Sequence, residues 1–163
     1  MAGARNVRLQ LSATEQALTV WGDPVRLGQA VDNLISNAVK FTPPGGRVAV
    51  TIGTLGDDDD RASICVSDTG VGIPAEEIDR LFTRFFRAST ATKNAVPGVG
   101  LGLTITKAIA LAHGGHIGVA STVGEGTSFT LDLPRLVASL AQEAVADGEV
   151  GGGGESLRES VAR

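Results

Sequence analysis

The chain has 163 residues, 42 % of them hydrophobic, which is enough for the core of one domain. Its net charge of −4 argues against a nucleic-acid-binding surface, and no apolar run approaches the roughly 18 residues that a membrane-spanning helix needs. A single cysteine excludes an internal disulfide and indicates a reducing, cytoplasmic setting. We expect one domain over residues 1–134 and a flexible glycine-rich tail over 135–163.

The first third of the chain contains signals for two strands and a long helix. Alternating apolar residues predict strands over 6–13 and 18–21. Asp23 followed by Pro24 is typical of a helix start, since the carboxylate caps free N–H groups and proline is tolerated at the first helical position. The helix is expected to end near Phe41, before the turn sequence TPPGG. Its predicted buried face consists of Leu27, Val31, Leu34, Ile35 and Ala38.

A polar stripe lies roughly opposite that buried face. Asn33, Asn37 and Lys40 recur at spacings of four and three residues, which places two amides and an ammonium group on one side of the helix. A solvated surface explains such a stripe, but amide oxygens also bind hard cations and lysine binds phosphate. The stripe by itself leaves both interpretations open.

Two alternating segments, RVAVTIGTL and RASICVSDTG, predict a pair of strands. The aspartates of their connecting loop, 57–60, are expected to be solvated rather than to bind a metal. Cys65 lies in the apolar run ASICV and is expected in the core. Asp68 stands where the second strand enters a glycine turn, and its carboxylate can accept a hydrogen bond from an exocyclic amine. A plain aspartate turn is the alternative.

Residues 74–89 are predicted as a short helix with Phe85 on its apolar stripe. Arg84 and Arg87 cluster at its C-terminal end, where either the helix dipole or a phosphate or partner contact explains them. Residues 89–97 are polar and lack periodicity, which predicts a mobile loop.

A glycine-punctuated loop then opens into an apolar helix. Gly98, Gly100 and Gly102 lack Cβ atoms, so backbone N–H groups can approach a ligand, and a helix N-terminus favours an anion such as phosphate. Alternating glycines also serve tight turns, so this pattern is weak evidence alone. His113 and His116 flank the helix end and are expected to be structural rather than metal ligands. HIGVAST and GTSFTLDLP predict two closing strands.

Four blocks stand in a fixed order: DNLISNAVKFTP, DTGVGIP, GVGLGLTITKAIALAHGG and GEGTSFTLDLP, with LFTRFFRA between the second and third. They resemble the catalytic ATP-binding domain of bacterial two-component sensor histidine kinases, over about residues 6–134. The wider superfamily includes DNA gyrase, the MutL mismatch-repair proteins and a heat-shock chaperone. The resemblance implies an α/β (α+β) two-layer sandwich of the Bergerat type, with a mixed, mostly antiparallel sheet covered on one face by helices.

The resemblance also implies ATP and Mg²⁺ as cofactors. Asn37 would hold the Mg²⁺ that bridges the ATP phosphates, while Asn33 and Lys40 would contact phosphate. Arg84 and Arg87 would touch either the γ-phosphate or the helix that carries the phosphoacceptor histidine. Hydrolysing members of the superfamily resemble this chain but have a glutamate where Asn33 stands, which activates water. An amide cannot take that proton, so transfer is favoured over hydrolysis.

The remaining roles concern the base and the lid. By resemblance, Asp68 would accept a hydrogen bond from the adenine amino group, and Thr127 would reach adenine through water. Gly70 and Gly72 would let the base enter. The lid hinge and triphosphate contact would be formed by Gly98, Gly100, Leu101 and Gly102.

The implied partners are the dimerisation domain that carries the phosphoacceptor histidine and, indirectly, a response regulator. No nucleic acid or direct membrane contact is expected. Nothing before residue 6 resembles the dimerisation hairpin, so we expect a catalytic domain that binds ATP and transfers little phosphate alone. Two alternatives are a protein-serine kinase of the anti-sigma-factor type and a nucleotide sensor without transfer activity. The phenylalanine-containing block argues against the first, and the presence of Asn37 argues against the second.

Overall fold

The computed structural model describes residues 6–55, 60–93 and 98–136. Its strands are β1 (Arg8–Ala13), β2 (Arg47–Leu55), β3 (Arg61–Asp68), β4 (His116–Thr122) and β5 (Gly126–Pro134). The helices are α1 (Pro24–Phe41), α2 (Ser89–Lys93) and α3 (Gly102–Ala112), with a 3₁₀ helix over Ala75–Arg80. One sheet has the order β1-β2-β3-β5-β4. The β1–β2 pair is parallel and the other pairs are antiparallel, which confirms the predicted mixed sheet.

The core lies on one face of this sheet. Strand alternation turns Val48, Val66 and Leu131 towards the helices, and all three are almost fully buried. Leu34 of α1 has no exposed surface and belongs to the same apolar cluster. The predicted two-layer sandwich is therefore confirmed. No helix within the described ranges is both long and apolar enough to cross a membrane.

Helix α1 begins and ends where its sequence predicts. Oδ1 of Asp23 accepts hydrogen bonds from the N–H groups of Val25 (2.8 Å) and Arg26 (3.1 Å). At the other end the Thr42 hydroxyl donates to the carbonyl of Ala38 at 2.6 Å. Local side-chain contacts therefore define both ends of the helix that carries the polar stripe.

Replacing Asp23 with alanine is expected to lower the free energy of unfolding by about 1 kcal/mol, because two N–H groups lose their acceptor. Urea denaturation measures the loss. Asp32→Ala, at an exposed position in the middle of the same helix, is the matched control and should change stability little. Equal losses in the two variants would contradict a specific capping contribution.

Two predictions for the strands are wrong. Residues 18–21 form no strand and contribute only an isolated bridge between Val20 and Arg135, since the chain turns into the cap of α1 directly afterwards. Cys65 is half-buried and lies 3.5 Å from the Ser67 hydroxyl. Because it alternates with the core residues of β3, it faces the side of the sheet away from the helices.

The segment between β3 and α3 also differs from its prediction. Phe85 has a φ of +63°, which interrupts any helix, so its side chain is 68 % exposed instead of lying on an apolar stripe. Phe86 packs against the core in its place. The predicted loop over 89–97 begins with helix α2. Predictions for residues 57–59, 94–97 and 137–163 lie outside the described residues.

Candidate functional site

A cavity of about 240 Å³ lies between α1, α3, the adjoining ends of β3 and β5, and the segment that leads into α2. It brings together side chains that are distant along the chain. Most of the predicted site residues line it: Asn33, Asn37, Lys40, Asp68, Gly72, Arg87, Gly98, Gly100, Leu101, Gly102 and Thr127.

Two predicted site residues do not line the cavity. The N–H of Gly70 donates to Oδ1 of Asp68 at 2.8 Å, and a Cβ atom at position 70 would collide with that oxygen and with the carbonyl of Phe41. Gly70 therefore contributes by shaping the Asp68 turn. Arg84 is exposed and lies outside the lining, whereas Arg87 belongs to it.

The pairing of β3 with β5 holds Asp68 beside Thr127. Oδ1 of Asp68 accepts the N–H groups of both Gly70 and Thr127, the latter at 3.3 Å. Because both donors use one oxygen, Oδ2 remains for a ligand. Burial raises the pKa of Asp68 above its ordinary value, and the two backbone hydrogen bonds oppose that rise. A half-buried acceptor of this kind selects a ligand that brings an N–H donor.

A second hydroxyl determines what Thr127 offers to a ligand. Oγ of Ser121 accepts the N–H of Ile73 at 2.9 Å, donates to the carbonyl of Gly126 at 2.8 Å, and lies 2.8 Å from Oγ1 of Thr127. Since the only proton of the Ser121 hydroxyl goes to Gly126, Thr127 must donate to Ser121. The Thr127 oxygen therefore acts as a further acceptor near Asp68.

The polar stripe of α1 faces the cavity and not open solvent. Asn33, Asn37 and Lys40 are all half-buried and line its wall. The carbonyl of Phe41 accepts the N–H of Val71, which places the C-terminal end of α1 next to the Asp68 turn. From Asn33 to Phe41 the helix advances about 12 Å. The cavity thus suits an elongated ligand with an amine donor at one end and anionic groups towards Asn33.

The glycine loop forms the opposite wall. The carbonyl of Gly100 accepts the N–H of Phe85 at 2.9 Å, and Gly100 has a φ of +78°. A Cβ atom there would collide with the backbone of Phe85 and Phe86. Leu101 at the N-cap of α3 supplies no side-chain acceptor, so the first N–H groups of that helix are available to an anion.

The apolar walls of the cavity and one serine that bonds to Thr127 were not predicted from the sequence. A flat aromatic base needs apolar surfaces on its faces. The missed polar residue is Ser121, which supports Thr127. It follows Ile117 and Val119 at two-residue spacing on β4, so the alternation of the strand predicts that its hydroxyl points inward. The apolar lining residues include Ile73, Leu81, Phe86, Leu103 and Phe129.

The two histidines lie away from this cavity. Nδ1 of His113 donates to the carbonyl of Ile109 at 2.7 Å, and its Nε2 accepts the N–H of Asp23 at 3.0 Å. This ring therefore joins the end of α3 to the start of α1, in line with the structural role expected for it. His116 is exposed, 3.8 Å from Oδ2 of Asp132.

Residues 22–137 match the family described as histidine kinase-, DNA gyrase B- and HSP90-like ATPase, and the chain belongs to this family. Its similarity to curated proteins then indicates which of these three types of ATPase it resembles. It is 43 % identical to the circadian input-output histidine kinase CikA of Synechococcus elongatus over 82 % of this chain. It is 37 % identical to the sensor histidine kinase WalK of Bacillus subtilis, also over 82 % of this chain. Within the family, the chain is an ATP-binding catalytic domain of the histidine kinase type.

Solved structures give the same result. The mycobacterial sensor histidine kinase MprB superposes with a TM-score of 0.72 at 36 % identity, covering 82 % of this chain and 87 % of that structure. Full-length ShkA in complex with AMPPNP superposes with a TM-score of 0.71 at 31 % identity, covering 84 % and 27 % respectively. The chain spans only 17 % of the length of CikA and 22 % of that of WalK.

Proposed function

We propose that this domain binds Mg²⁺–ATP in the cavity and transfers the γ-phosphoryl group to a histidine on a separate dimerisation domain. The observation that carries the proposal is that one cavity is lined by the amide stripe of α1, by Asp68 and by the glycine loop. The complex of ShkA with AMPPNP supports an adenine nucleotide as the ligand. ATP as the phosphoryl donor and a single cysteine support a cytoplasmic setting for the domain.

At the end of the cavity where β3 pairs with β5, Asp68 and Thr127 provide the adenine contacts. Oδ2 of Asp68 accepts a hydrogen from the exocyclic amino group, and Thr127 accepts from the base or from a bridging water. Oδ2 of Asp68 is left as an acceptor because the two backbone N–H groups are bound to Oδ1. The Thr127 oxygen is an acceptor because its own hydrogen goes to Ser121. Guanine, which has a carbonyl oxygen where adenine has the amino group, would face these acceptors without a donor.

For the phosphates, the cavity offers cationic and amide groups. Asn33, Lys40 and Arg87 line the cavity, as does the glycine loop ahead of α3. These residues provide charge and N–H donors to the β- and γ-phosphates. Arg84 is exposed outside the cavity, so its proposed contact is with the helix that carries the phosphoacceptor histidine.

The donor set at Asn37 fits Mg²⁺. The described ranges contain no group of three or more histidine, cysteine or acidic side chains that could hold a metal ion. Mg²⁺ typically uses one or two protein oxygens together with substrate phosphates and water. The half-buried amide oxygen of Asn37 supplies one such ligand. When bound, the ion would neutralise phosphate charge during transfer.

The lining also supports transfer over hydrolysis. Among its described residues Asp68 is the sole carboxylate, and it lies at the adenine end. Asn33 offers an amide, and Asp32 is exposed outside the cavity. Among the described lining residues, a water molecule near the γ-phosphate would therefore meet no general base. The imidazole nitrogen of the acceptor needs none, because its lone pair attacks phosphorus directly while the bond to ADP breaks.

The decisive experiment supplies a phosphoacceptor. The chain is incubated with radiolabelled ATP, Mg²⁺ and a dimerisation hairpin from a sensor histidine kinase, whose own catalytic domain serves as the positive control. We expect label on the hairpin that is lost in acid and retained in base, as phosphohistidine requires. Label that survives acid would instead support a serine kinase. Bound ATP without any transfer, alongside a working positive control, would contradict the proposal.

A further inference from the structure

We propose that Thr106 is a positioning residue that holds the Asn33 amide in one orientation at the phosphate end of the cavity. The inference rests on the function proposed above. Thr106 belongs to α3, has no exposed surface and is not itself a lining residue. It would therefore act on a nucleotide only through Asn33.

The two hydrogen bonds of the Thr106 hydroxyl indicate which group donates in its contact with Asn33. The Thr106 hydroxyl donates to the carbonyl of Gly102 at 3.1 Å, and its oxygen lies 3.0 Å from Nδ2 of Asn33. A hydroxyl has one proton, and here it is used on Gly102. Thr106 therefore accepts from Asn33, which puts Nδ2 on the α3 side.

Close packing adds a second constraint. A Cβ atom at position 102 would collide with Oδ1 of Asn33 and lie within 2.9 Å of its Cγ and Nδ2. The glycine thus lets the Asn33 side chain lie flat against the start of α3. With Nδ2 held by Thr106 and Oδ1 packed against Gly102, the Asn33 amide keeps one arrangement in the cavity wall.

A purely structural role makes a different prediction. A threonine hydroxyl often donates to the carbonyl four residues earlier in its own helix, and this bond needs no partner on α1. If that were its whole role, loss of the hydroxyl would affect folding and every ligand alike. If Thr106 positions Asn33, the loss affects only ligands that carry phosphates.

The test uses Thr106→Val, which keeps the side-chain shape and removes both hydrogen bonds. ATP binding is measured by calorimetry in the presence of Mg²⁺, and adenosine binding by NMR titration. We expect ATP affinity to fall roughly five-fold, the effect of one net hydrogen bond, with adenosine affinity unchanged. Thr106→Ser should restore ATP affinity. Thr104→Val, which removes a hydroxyl bonded to the Phe82 carbonyl on the same helix, is the matched control and should bind ATP like the parent.

A double-mutant cycle and an NMR signal complete the experiment. Combined with Asn33→Ala, Thr106→Val should cause no further loss, because its effect passes through that amide. The Asn33 side-chain NH₂ resonances should exchange faster with water in Thr106→Val. Unchanged ATP affinity, equal losses for ATP and adenosine, or additive losses would each overturn the role of Thr106. Failure of the parent chain to bind ATP would overturn the proposed function itself.

Discussion

Replacing Asp68 with asparagine is expected to weaken ATP binding by about 1–3 kcal/mol, the cost of disturbing a buried charged hydrogen bond. The neighbours of the side chain explain why. Oδ1 already accepts the N–H groups of Gly70 and Thr127, so an asparagine would keep its oxygen there and place its NH₂ group at the position of Oδ2. The NH₂ group of the asparagine would then face the adenine amino group, so that two donors meet without an acceptor. Calorimetry on the parent and variant measures the difference.

GTP provides the internal control for this substitution. Guanine carries an acceptor oxygen at the position of the adenine amino group, so the new NH₂ group should tolerate GTP better than the carboxylate does. We expect the preference for ATP over GTP to shrink in Asp68→Asn. A variant that merely misfolds would lose both nucleotides together. Unchanged ATP affinity would remove Asp68 from the site.

The same carboxylate gives ATP binding a pH dependence. Because burial raises the folded pKa of Asp68 above its unfolded value, this group makes the nucleotide-free fold less stable as pH rises through the folded pKa. Binding has the opposite dependence, since protonation would put a hydrogen on Oδ2, the oxygen proposed to accept the amino hydrogen. ATP affinity should fall as pH is lowered through that pKa. Asp68→Asn should show only the titration of the nucleotide, and superimposable profiles would contradict the assignment.

Replacing Asn37 with alanine is expected to abolish the Mg²⁺ dependence of ATP binding. The parent should bind ATP more tightly with Mg²⁺ than in EDTA, because the Asn37 amide oxygen completes the coordination that the phosphates begin. Alanine offers no oxygen, so the two titrations should coincide. The fold should persist, since the position is half-buried on a helix and alanine is the best helix former.

Aspartate at the same position is the matched control. Asn37→Asp retains an oxygen ligand of nearly the same reach and adds a charge, so its Mg²⁺ dependence should persist or increase. Circular dichroism and thermal unfolding of all three proteins exclude a folding defect. If Asn37→Ala still binds ATP with the parent's difference between Mg²⁺ and EDTA, the metal ligand lies elsewhere.

Much of the fold and site followed from signals within a few residues of each element. Asp23 and Pro24 gave the start of α1, and residue spacing placed Asn33, Asn37 and Lys40 on one side of that helix, the side that lines the cavity. The errors arose where distant parts of the chain compete. Phe85 has an apolar side chain at helical spacing, but its positive φ and its bond to Gly100 place it at the surface. Val20 lacks a continuing strand partner and forms only a bridge.

The sequence by itself determined both ends of α1, most of the strands, the family and the types of residue at the site. Those features depend on periodicity, caps and turns, which act between neighbours in the chain. Only the tertiary structure decided that Arg87 lines the cavity while Arg84 does not, and that Ser121 directs the Thr127 hydroxyl. It alone placed Thr106 against Asn33. A hydrogen bond between residues 73 positions apart depends on how α1 and α3 pack, and no local pattern records that packing.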